Sequence, residues 1–231
     1  MATPLRWHRS IAVWICEGST EPMPIPAQSL KPLVFVAALI PAALLIAGVM
    51  GVANQSLGPN PIREMLHVTG KTALNLLMIT LTVSPVRAAT GRIAIQGIRR
   101  MLGLFCFAYA LLHFLVYAVL ELDLDFSDLG REIVRRPFIV VGSVALLALI
   151  PLAATSTNRL MRKLGRRWQT LHRLIYPITI LGVWHYYWQV KADIREPLIY
   201  AAVLATLLGF RLWRTRRSTH ANTQGGIRFQ P

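Results

Sequence analysis

The sequence predicts an all-α integral membrane protein, a six-helix transmembrane bundle with both termini in the cytoplasm. Hydrophobic residues make up 54% of the 231-residue chain, and charged residues only 15%. Soluble domains usually contain about a quarter charged residues. The lysines and arginines also cluster between long apolar runs. Six of these runs reach the length of about 17 to 25 residues that a helix needs to cross a bilayer.

The six predicted spans follow one another with short connections. They cover residues 32–53, 67–86, 98–120, 137–155, 170–190 and 197–213. The first span is too long for a secretory signal peptide, and further spans follow it, so we interpret it as a membrane helix. The second span contains Lys71 near its start, and we expect this side chain to snorkel to the interface.

The connections differ in charge, and this difference predicts the orientation of the bundle. Segments 87–100 and 156–167 carry four and five basic residues and no acid. The loop 121–136 instead carries five acidic residues against three arginines. Because basic loops stay in the cytoplasm, both termini and the even-numbered loops are predicted to be cytoplasmic.

The chain divides into three segments by composition. Residues 1–30 are Pro-rich ("EPMPIPAQS") and are predicted to be a flexible leader, 31–217 form the six-span domain, and 218–231 form a polar tail. The net charge of +15 is segregated between apolar runs, which argues against a nucleic-acid partner. The two cysteines, Cys16 and Cys106, do not form a disulfide or metal-binding pattern.

Four of the six histidines lie in or at the edge of predicted spans: His67, His113, His172 and His185. Ionisable residues within a membrane indicate function. The alternative is a set of histidines that hydrogen-bond to neighbouring helices, which membrane bundles also use. His8 and His220 lie in the tails, where surface histidine is the expected interpretation.

His113 and His185 are the candidate ligand pair. Each lies about fifteen residues into its span, and the third and fifth spans run in the same direction, so we expect the two to meet at similar depth. Two neutral imidazoles on facing helices can supply both axial ligands of a haem. A zinc site would need a third or fourth ligand, and only Cys106 lies nearby. Gly103 and Gly182 are small neighbours that suit a flat macrocycle.

His172 precedes His185 by thirteen residues, which places it about 20 Å further inward along an ideal helix. It lies at the level of Arg99 and Arg100. Thirteen residues turn an ideal helix by about 220°, so the two histidines face different neighbours unless the helix is re-phased. Pro177 lies between them, and a proline kink would re-phase the two halves.

Long segments of the chain resemble the MsrQ family, also called YedZ. They are "HVTGKTALNLLMITLTVSPVR", "RRMLGLFCFAYALLHFLVYAVLEL", "TSTNRLMRKLGRRWQTLHRLIYPITILGVWHYYWQVK" and "PLIYA", and the resemblance covers about residues 32–215. It implies a haem b-containing, FMN-binding subunit of the bacterial inner membrane. Such a subunit takes electrons from the quinone pool or a flavin reductase. It passes them to the periplasmic molybdopterin-dependent reductase MsrP, which carries the catalytic site and repairs methionine sulfoxide in oxidised proteins.

The wider group is similar to the ferric reductase-like transmembrane family, in which histidine pairs on the third and fifth helices hold two haems. In this chain the position thirteen before His113 is Arg100, so the number of haems and the ligand opposite His172 stay open. The resemblance implies metal ligation by His113, His185 and His172. Arg99, Arg100 and Arg173 are candidates to pair with haem propionates or the FMN phosphate, with cytoplasmic anchoring as the alternative.

Two other functions stay open from the sequence. One is a stand-alone transmembrane reductase of ferric iron or another metal. The other is a proton channel or transporter that uses the histidines as a relay, although such a relay would call for acidic residues at mid-membrane, which the spans lack. The acidic loop 121–136 is a candidate docking surface for a periplasmic partner, or an ordinary solvated loop.

Overall fold

The computed structural model describes residues 27–52, 57–90, 96–124, 129–190 and 193–225, which contain nine α-helices and no strand. The helices are α1 (Ala27–Val49), α2 (Pro61–Thr90), α3 (Gln96–Val116), α4 (Leu129–Arg135), α5 (Phe138–Ala154), α6 (Asn158–Leu164), α7 (Arg166–Leu171), α8 (Ile175–Gln189) and α9 (Arg195–Gly225). A π-helical turn, Tyr117–Glu121, extends α3, and a 3₁₀ turn, His172–Leu174, joins α7 to α8.

Within the described residues, four segments are long and apolar enough to cross a membrane: Leu30–Val49, Pro61–Ala89, Gly97–Glu121 and Arg195–Arg217. A fifth is reached only if α5 and α6 count as one span, and these two helices bend by 91° at their junction. The six predicted runs all contain helix, but α5 has 17 residues and α8 only 15. The fifth predicted run is shortened because the 3₁₀ turn separates α7 from α8.

The helical boundaries differ from the predicted segment boundaries at both ends. Helix α1 begins at Ala27, inside the predicted leader, and α9 continues to Gly225, inside the predicted polar tail. The rest of the leader, residues 1–26, and of the tail, 226–231, lies outside the described residues.

Two helix pairs form the centre of the bundle. Helix α2 packs most extensively against α3, and α5 packs most extensively against α8. Leu77, Cys106 and Ile178 are among the most buried side chains of the core, and Cys106 is a free thiol. Buried Thr80 and Thr179 donate their hydroxyls to the carbonyl four residues earlier, which satisfies them where water is absent.

Tyr109 fastens α1 to the bundle. Its hydroxyl donates to the Ala38 carbonyl at 2.7 Å and accepts from the Ala42 amide at 3.0 Å. These two backbone groups are an i, i+4 pair on α1, next to Pro41, which has no amide hydrogen of its own. The phenol therefore takes part in the backbone hydrogen bonding of a membrane helix, which makes this contact between helices specific.

Lys71, which the sequence predicts to snorkel to the interface, forms an ion pair with a residue of another helix. Its ammonium contacts both Glu196 oxygens at 2.8 Å, and the Tyr186 hydroxyl donates to Glu196 at 2.6 Å. One carboxylate thus connects α2, α8 and α9. The Lys71 and Glu196 side chains are 31% and 49% exposed, so solvent screens part of this attraction.

Candidate functional site

His113 of α3 and His185 of α8 face each other between the two helix pairs. Their ring centroids lie 6.1 Å apart and their planes cross at 88°. Both side chains are largely buried, and Phe138 packs edge-on against the His185 ring at a centroid distance of 5.8 Å. The structure therefore brings together two histidines that are 72 positions apart in the chain.

The same ring nitrogen of each histidine is hydrogen-bonded to a neighbouring helix. The Nδ1 of His113 lies 2.9 Å from the Leu66 carbonyl oxygen, and the Nδ1 of His185 lies 2.7 Å from the Phe138 carbonyl oxygen. Because a carbonyl only accepts, each Nδ1 must carry the hydrogen. In the neutral imidazole this leaves Nε2 with its lone pair. Among the described residues, no hydrogen bond occupies either Nε2.

A glycine lies against each ring. A Cβ placed on Gly70 would come within 3.0 Å of the His113 ring, and one on Gly142 within 2.8 Å of the His185 ring. Gly103 and Gly182, which the sequence suggested as space for a macrocycle, are not the glycines that lie against the two rings. Gly182 contacts Leu74 and Leu77, and no atom lies within 4 Å of a Cβ placed on Gly103.

The two halves of the site are built alike. In the first half, Leu66 and Gly70 lie on α2, and His113 on α3 follows Leu66 by 47 positions. In the second half, Phe138 and Gly142 lie on α5, and His185 on α8 follows Phe138 by 47 positions. The second set is displaced from the first by 72 positions throughout. Thr69 is the difference: its hydroxyl oxygen lies 3.3 Å from His113 Nδ1, and Val141 stands at the equivalent position.

A short sequence signal accompanies this repeat, although hydropathy and histidine spacing do not reveal it. Residues 68–74 read "VTGKTAL" and residues 140–146 read "VVGSVAL", so four of the seven positions agree, including both glycines. The match is short, and the histidine-bearing helices α3 and α8 show little similarity to each other. This explains why no internal repeat is evident from the sequence.

The residues present fit a bis-histidine haem site. Imidazole nitrogens bind metal ions at about 2 Å, so two imidazoles on opposite sides of one ion have ring centres roughly 6 Å apart. The observed 6.1 Å agrees with that spacing. Over the described ranges, no group of three or more His, Cys, Asp or Glu side chains is placed to hold a metal ion by protein ligands alone.

His172 is held in a different way from the other two histidines. Its ring stacks on Trp168 at a centroid distance of 3.9 Å, and its Nδ1 lies 3.2 Å from the Trp168 carbonyl oxygen. The Trp168 indole in turn donates to the Thr155 carbonyl at 3.0 Å. The 3₁₀ turn adds about 20° of rotation per residue relative to an α-helix. It therefore changes the angle between the directions of His172 and His185 before the chain reaches Pro177.

The three candidate arginines lie at the His172 end but do not converge on one point. Arg99 lies near enough to His172 to act on it electrostatically. Arg100 donates to the Asn158 side-chain oxygen, and Arg173 is exposed. His67 is exposed at the other end of the bundle, near Glu196. Trp184, Tyr187 and Trp188 line an outward-facing apolar groove of about 550 Å³ between α8 and α9.

Comparison with known proteins identifies the family. Residues 60–183, more than half of the chain, match the family model described as a ferric reductase like transmembrane component. The chain is 48% identical over 187 residues to a Xanthomonas axonopodis protein named "Protein-methionine-sulfoxide reductase heme-binding subunit MsrQ", a match that covers 80% of this chain and 86% of that protein. The chain belongs to the MsrQ family.

A second relative extends the match. The MsrQ heme-binding subunit of Ralstonia nicotianae is 44% identical over 212 residues, covering 89% of this chain and 95% of that protein. No solved structure matches the chain significantly. Membership of a transmembrane family, together with several long apolar helices, makes this chain a multi-pass membrane protein.

Proposed function

We propose that this chain binds one haem b between His113 and His185 and relays electrons across a bacterial inner membrane to a methionine sulfoxide reductase. The observation that carries the proposal is the facing pair of imidazoles at 6.1 Å, each with its Nδ1 hydrogen committed to a backbone carbonyl. The relatives' names, which specify a heme-binding subunit of such a reductase, support it.

The chain's own residues would set the properties of the bound group. When bound, the haem supplies reversible one-electron exchange at its iron. His113 and His185 present Nε2 as ligand atoms. The carbonyls of Leu66 and Phe138 fix the tautomer and increase the basicity of the two imidazoles, as partners of metal-bound histidines commonly do. The apolar core residues of α2, α3 and α8 would give the bound group a largely apolar environment.

The proposed topology has six spans with both termini in the cytoplasm. Its support is the distribution of arginines and the continuity of helical structure from α7 through the 3₁₀ turn into α8. Helix α5, with 17 residues, measures about 25 Å, close to the hydrocarbon thickness of about 30 Å. In this orientation the His113–His185 pair lies toward the periplasm and His172, with its arginines, toward the cytoplasm.

The proposed partner is the periplasmic molybdopterin enzyme MsrP, and the donor is the quinone pool or a flavin reductase. FMN, if it is the entry group, would find Arg99 and Arg173 at the cytoplasmic end as phosphate partners. The acidic loop is the proposed docking surface. Within its described part, Arg136 pairs with Glu121 and Glu132, which leaves fewer free acidic groups than the sequence indicates.

The haem assignment is tested by difference spectroscopy of the purified full-length protein. We expect a b-type reduced-minus-oxidised spectrum and about one haem per chain. His113→Ala and His185→Ala should lose that haem, whereas His172→Ala should retain it. A colourless wild type with ample haem supply, or a spectrum that all three variants share, would contradict the assignment and favour a histidine relay for protons.

The electron-transfer direction is tested in proteoliposomes that contain a quinol. We expect haem reduction by quinol or by an added flavin reductase, and rapid reoxidation only when MsrP and a methionine sulfoxide substrate are present outside. The family model's description favours one rival, a stand-alone metal reductase. Equal reoxidation by ferric chelates, with no dependence on the partner protein, would support that rival.

A further inference from the structure

We propose that Gly70 and Gly142 are positioning residues that fix the rotation of the two ligand imidazoles and hold their planes nearly perpendicular. This inference rests on the proposed haem-binding function and deepens it. It assigns to two glycines on the neighbouring helices α2 and α5 a role in the electronic structure of the site.

Each glycine forms one wall of a slot that receives an imidazole ring, and the backbone carbonyl of the residue one helical turn earlier forms the opposite wall. On α2 the slot consists of the Leu66 carbonyl and Gly70, and on α5 of the Phe138 carbonyl and Gly142. Residues i and i+4 of a helix lie one above the other, so the carbonyl and the missing side chain are adjacent. The Nδ1–Cε1 edge of each imidazole fits into this slot.

The slot has no room for a side chain. The Cβ of an alanine would lie 3.0 Å from Nδ1 and Cε1 of His113, and 2.8 Å from the same atoms of His185. Real Cβ atoms essentially never come within 3.0 Å of a heavy atom, so the contact at position 142 is excluded and the one at position 70 requires the ring to shift by a few tenths of an ångström. Because the ring edge rather than a flexible chain end meets the glycine, the ring has to rotate or withdraw to make space.

The repeated construction argues against chance packing. Both slots use the same carbonyl-to-glycine spacing, and both lie 43 positions before the histidine that they hold. Gly209 is not packed in this way, since a Cβ there would meet no atom within 4 Å, and the tight contacts of Gly48 and Gly97 are to flexible Leu57 and Lys31 side chains rather than to rings. The slots on α2 and α5 approach from different helices, and the rings that they hold cross at 88°.

The angle between the two rings has a measurable consequence. Axial ligands and their orientation are among the means by which a protein tunes haem iron. In low-spin ferric haem, perpendicular imidazole planes give an EPR spectrum dominated by one large g value, whereas near-parallel planes give three well-separated g values. We therefore expect the large-g form for the wild-type protein.

The first test compares EPR and optical spectra of wild type, Gly70→Ala and Gly142→Ala, with Gly209→Ala as the matched control. Each slot variant should lose the large-g signal, either by conversion to the three-g form or by loss of haem, and the control should match wild type. If wild type binds haem through His113 and His185 but both slot variants keep its signal, the positioning role is wrong and the proposed function stands. If wild type binds no haem at the two histidines, both are wrong.

The second test separates ring displacement from a general folding defect. Thermal unfolding midpoints are measured for Gly70→Ala alone, combined with His113→Ala, and combined with His185→Ala. Removing the His113 imidazole should abolish the decrease in unfolding midpoint that Gly70→Ala causes, because the Cβ at position 70 then has space. Removing His185 loses the haem equally but leaves the clash, so the penalty should persist. A penalty of the same size in all three backgrounds would show that Gly70 serves helix packing only, and would overturn the proposal.

Discussion

The two ends of the histidine-bearing helices hold their imidazoles by different means. At the His113–His185 end, each Nδ1 bonds to a carbonyl of a separate helix, more than forty residues away. At the His172 end, the ring bonds to Trp168, four residues earlier on its own helical segment, and stacks on the same residue. The first arrangement joins each histidine to a separate helix, whereas the second combines a local contact between His172 and Trp168 with contacts of these two residues to the backbone of Leu152 and Thr155.

The 72-residue repeat shows where the two ends diverge. The shift of 72 positions that relates His185 to His113 also relates His172 to Arg100. The Arg100 side chain hydrogen-bonds to Asn158. At the His113–His185 end, both copies of the repeat therefore carry a histidine, and the two imidazoles are held in similar ways. The other end offers one imidazole, already stacked on an indole, and a guanidinium that cannot ligate iron. The comparison teaches that the repeated helix pairs place a matched pair of imidazoles at one end only.

The largest expected effect is on the haem midpoint potential, which should respond to a change of His185 but not to the same change of His172. Replacing His185 with methionine should retain haem but raise its midpoint potential by on the order of 0.1 V, within the range of about 0.8 V that axial ligands span. His172→Met should leave the potential nearly unchanged. Potentiometric titration of both variants measures this difference, and equal shifts would show that His172 also binds the iron.

A stability difference is expected from Trp168. Trp168→Ala removes the stack on His172 and the hydrogen bond to Thr155, and should lower the free energy of unfolding by about 2 kcal/mol, less than for a fully buried tryptophan. Trp168→Phe keeps an aromatic stack and should cost about 1 kcal/mol, the usual contribution of one hydrogen bond. Unfolding in detergent measures both. Loss of haem in either variant would contradict the separation of the two ends.

A smaller effect is expected at the ion pair beside the His185 helix. Lys71→Met should lower the thermal midpoint less than Trp168→Phe does, because both partners are partly exposed. A double-mutant cycle with Glu196→Gln isolates the coupling between the two side chains. A haem spectrum that changes in Lys71→Met but not in Glu196→Gln would show that the ammonium acts on the site directly.

The smallest expected effect is the most informative about the repeat. Arg100→His restores the symmetric residue opposite His172, yet we expect no additional haem, because the His172 ring is stacked on Trp168 and also interacts with the Leu152 backbone of α5. Haem quantified per chain should equal the wild-type value. A second haem that disappears again in Arg100→His/His172→Ala would show that the missing ligand alone distinguishes the two ends.

The sequence predicted the helical class, because hydropathy encodes it locally, and the meeting of His113 and His185, because residue spacing places them at similar positions along their helices. The family followed from the resemblance of long motifs. The sequence did not identify the residues that contact the rings. Gly103 and Gly182 were suggested as space for a macrocycle because they are near the histidines in sequence, whereas the glycines against the imidazoles are Gly70 and Gly142 on other helices. Nor did it identify Glu196 as the partner of Lys71, because the two residues lie 125 positions apart.

The sequence by itself determined that apolar helices form and that histidines are placed within them, since both follow from the order of residues along one chain. Only the tertiary structure decided which backbone carbonyl meets which imidazole and which glycine leaves space for it. A carbonyl is the same in every residue, so no residue type marks Leu66 or Phe138 as a hydrogen-bond acceptor. Their role arises from the packing of α2 on α3 and of α5 on α8.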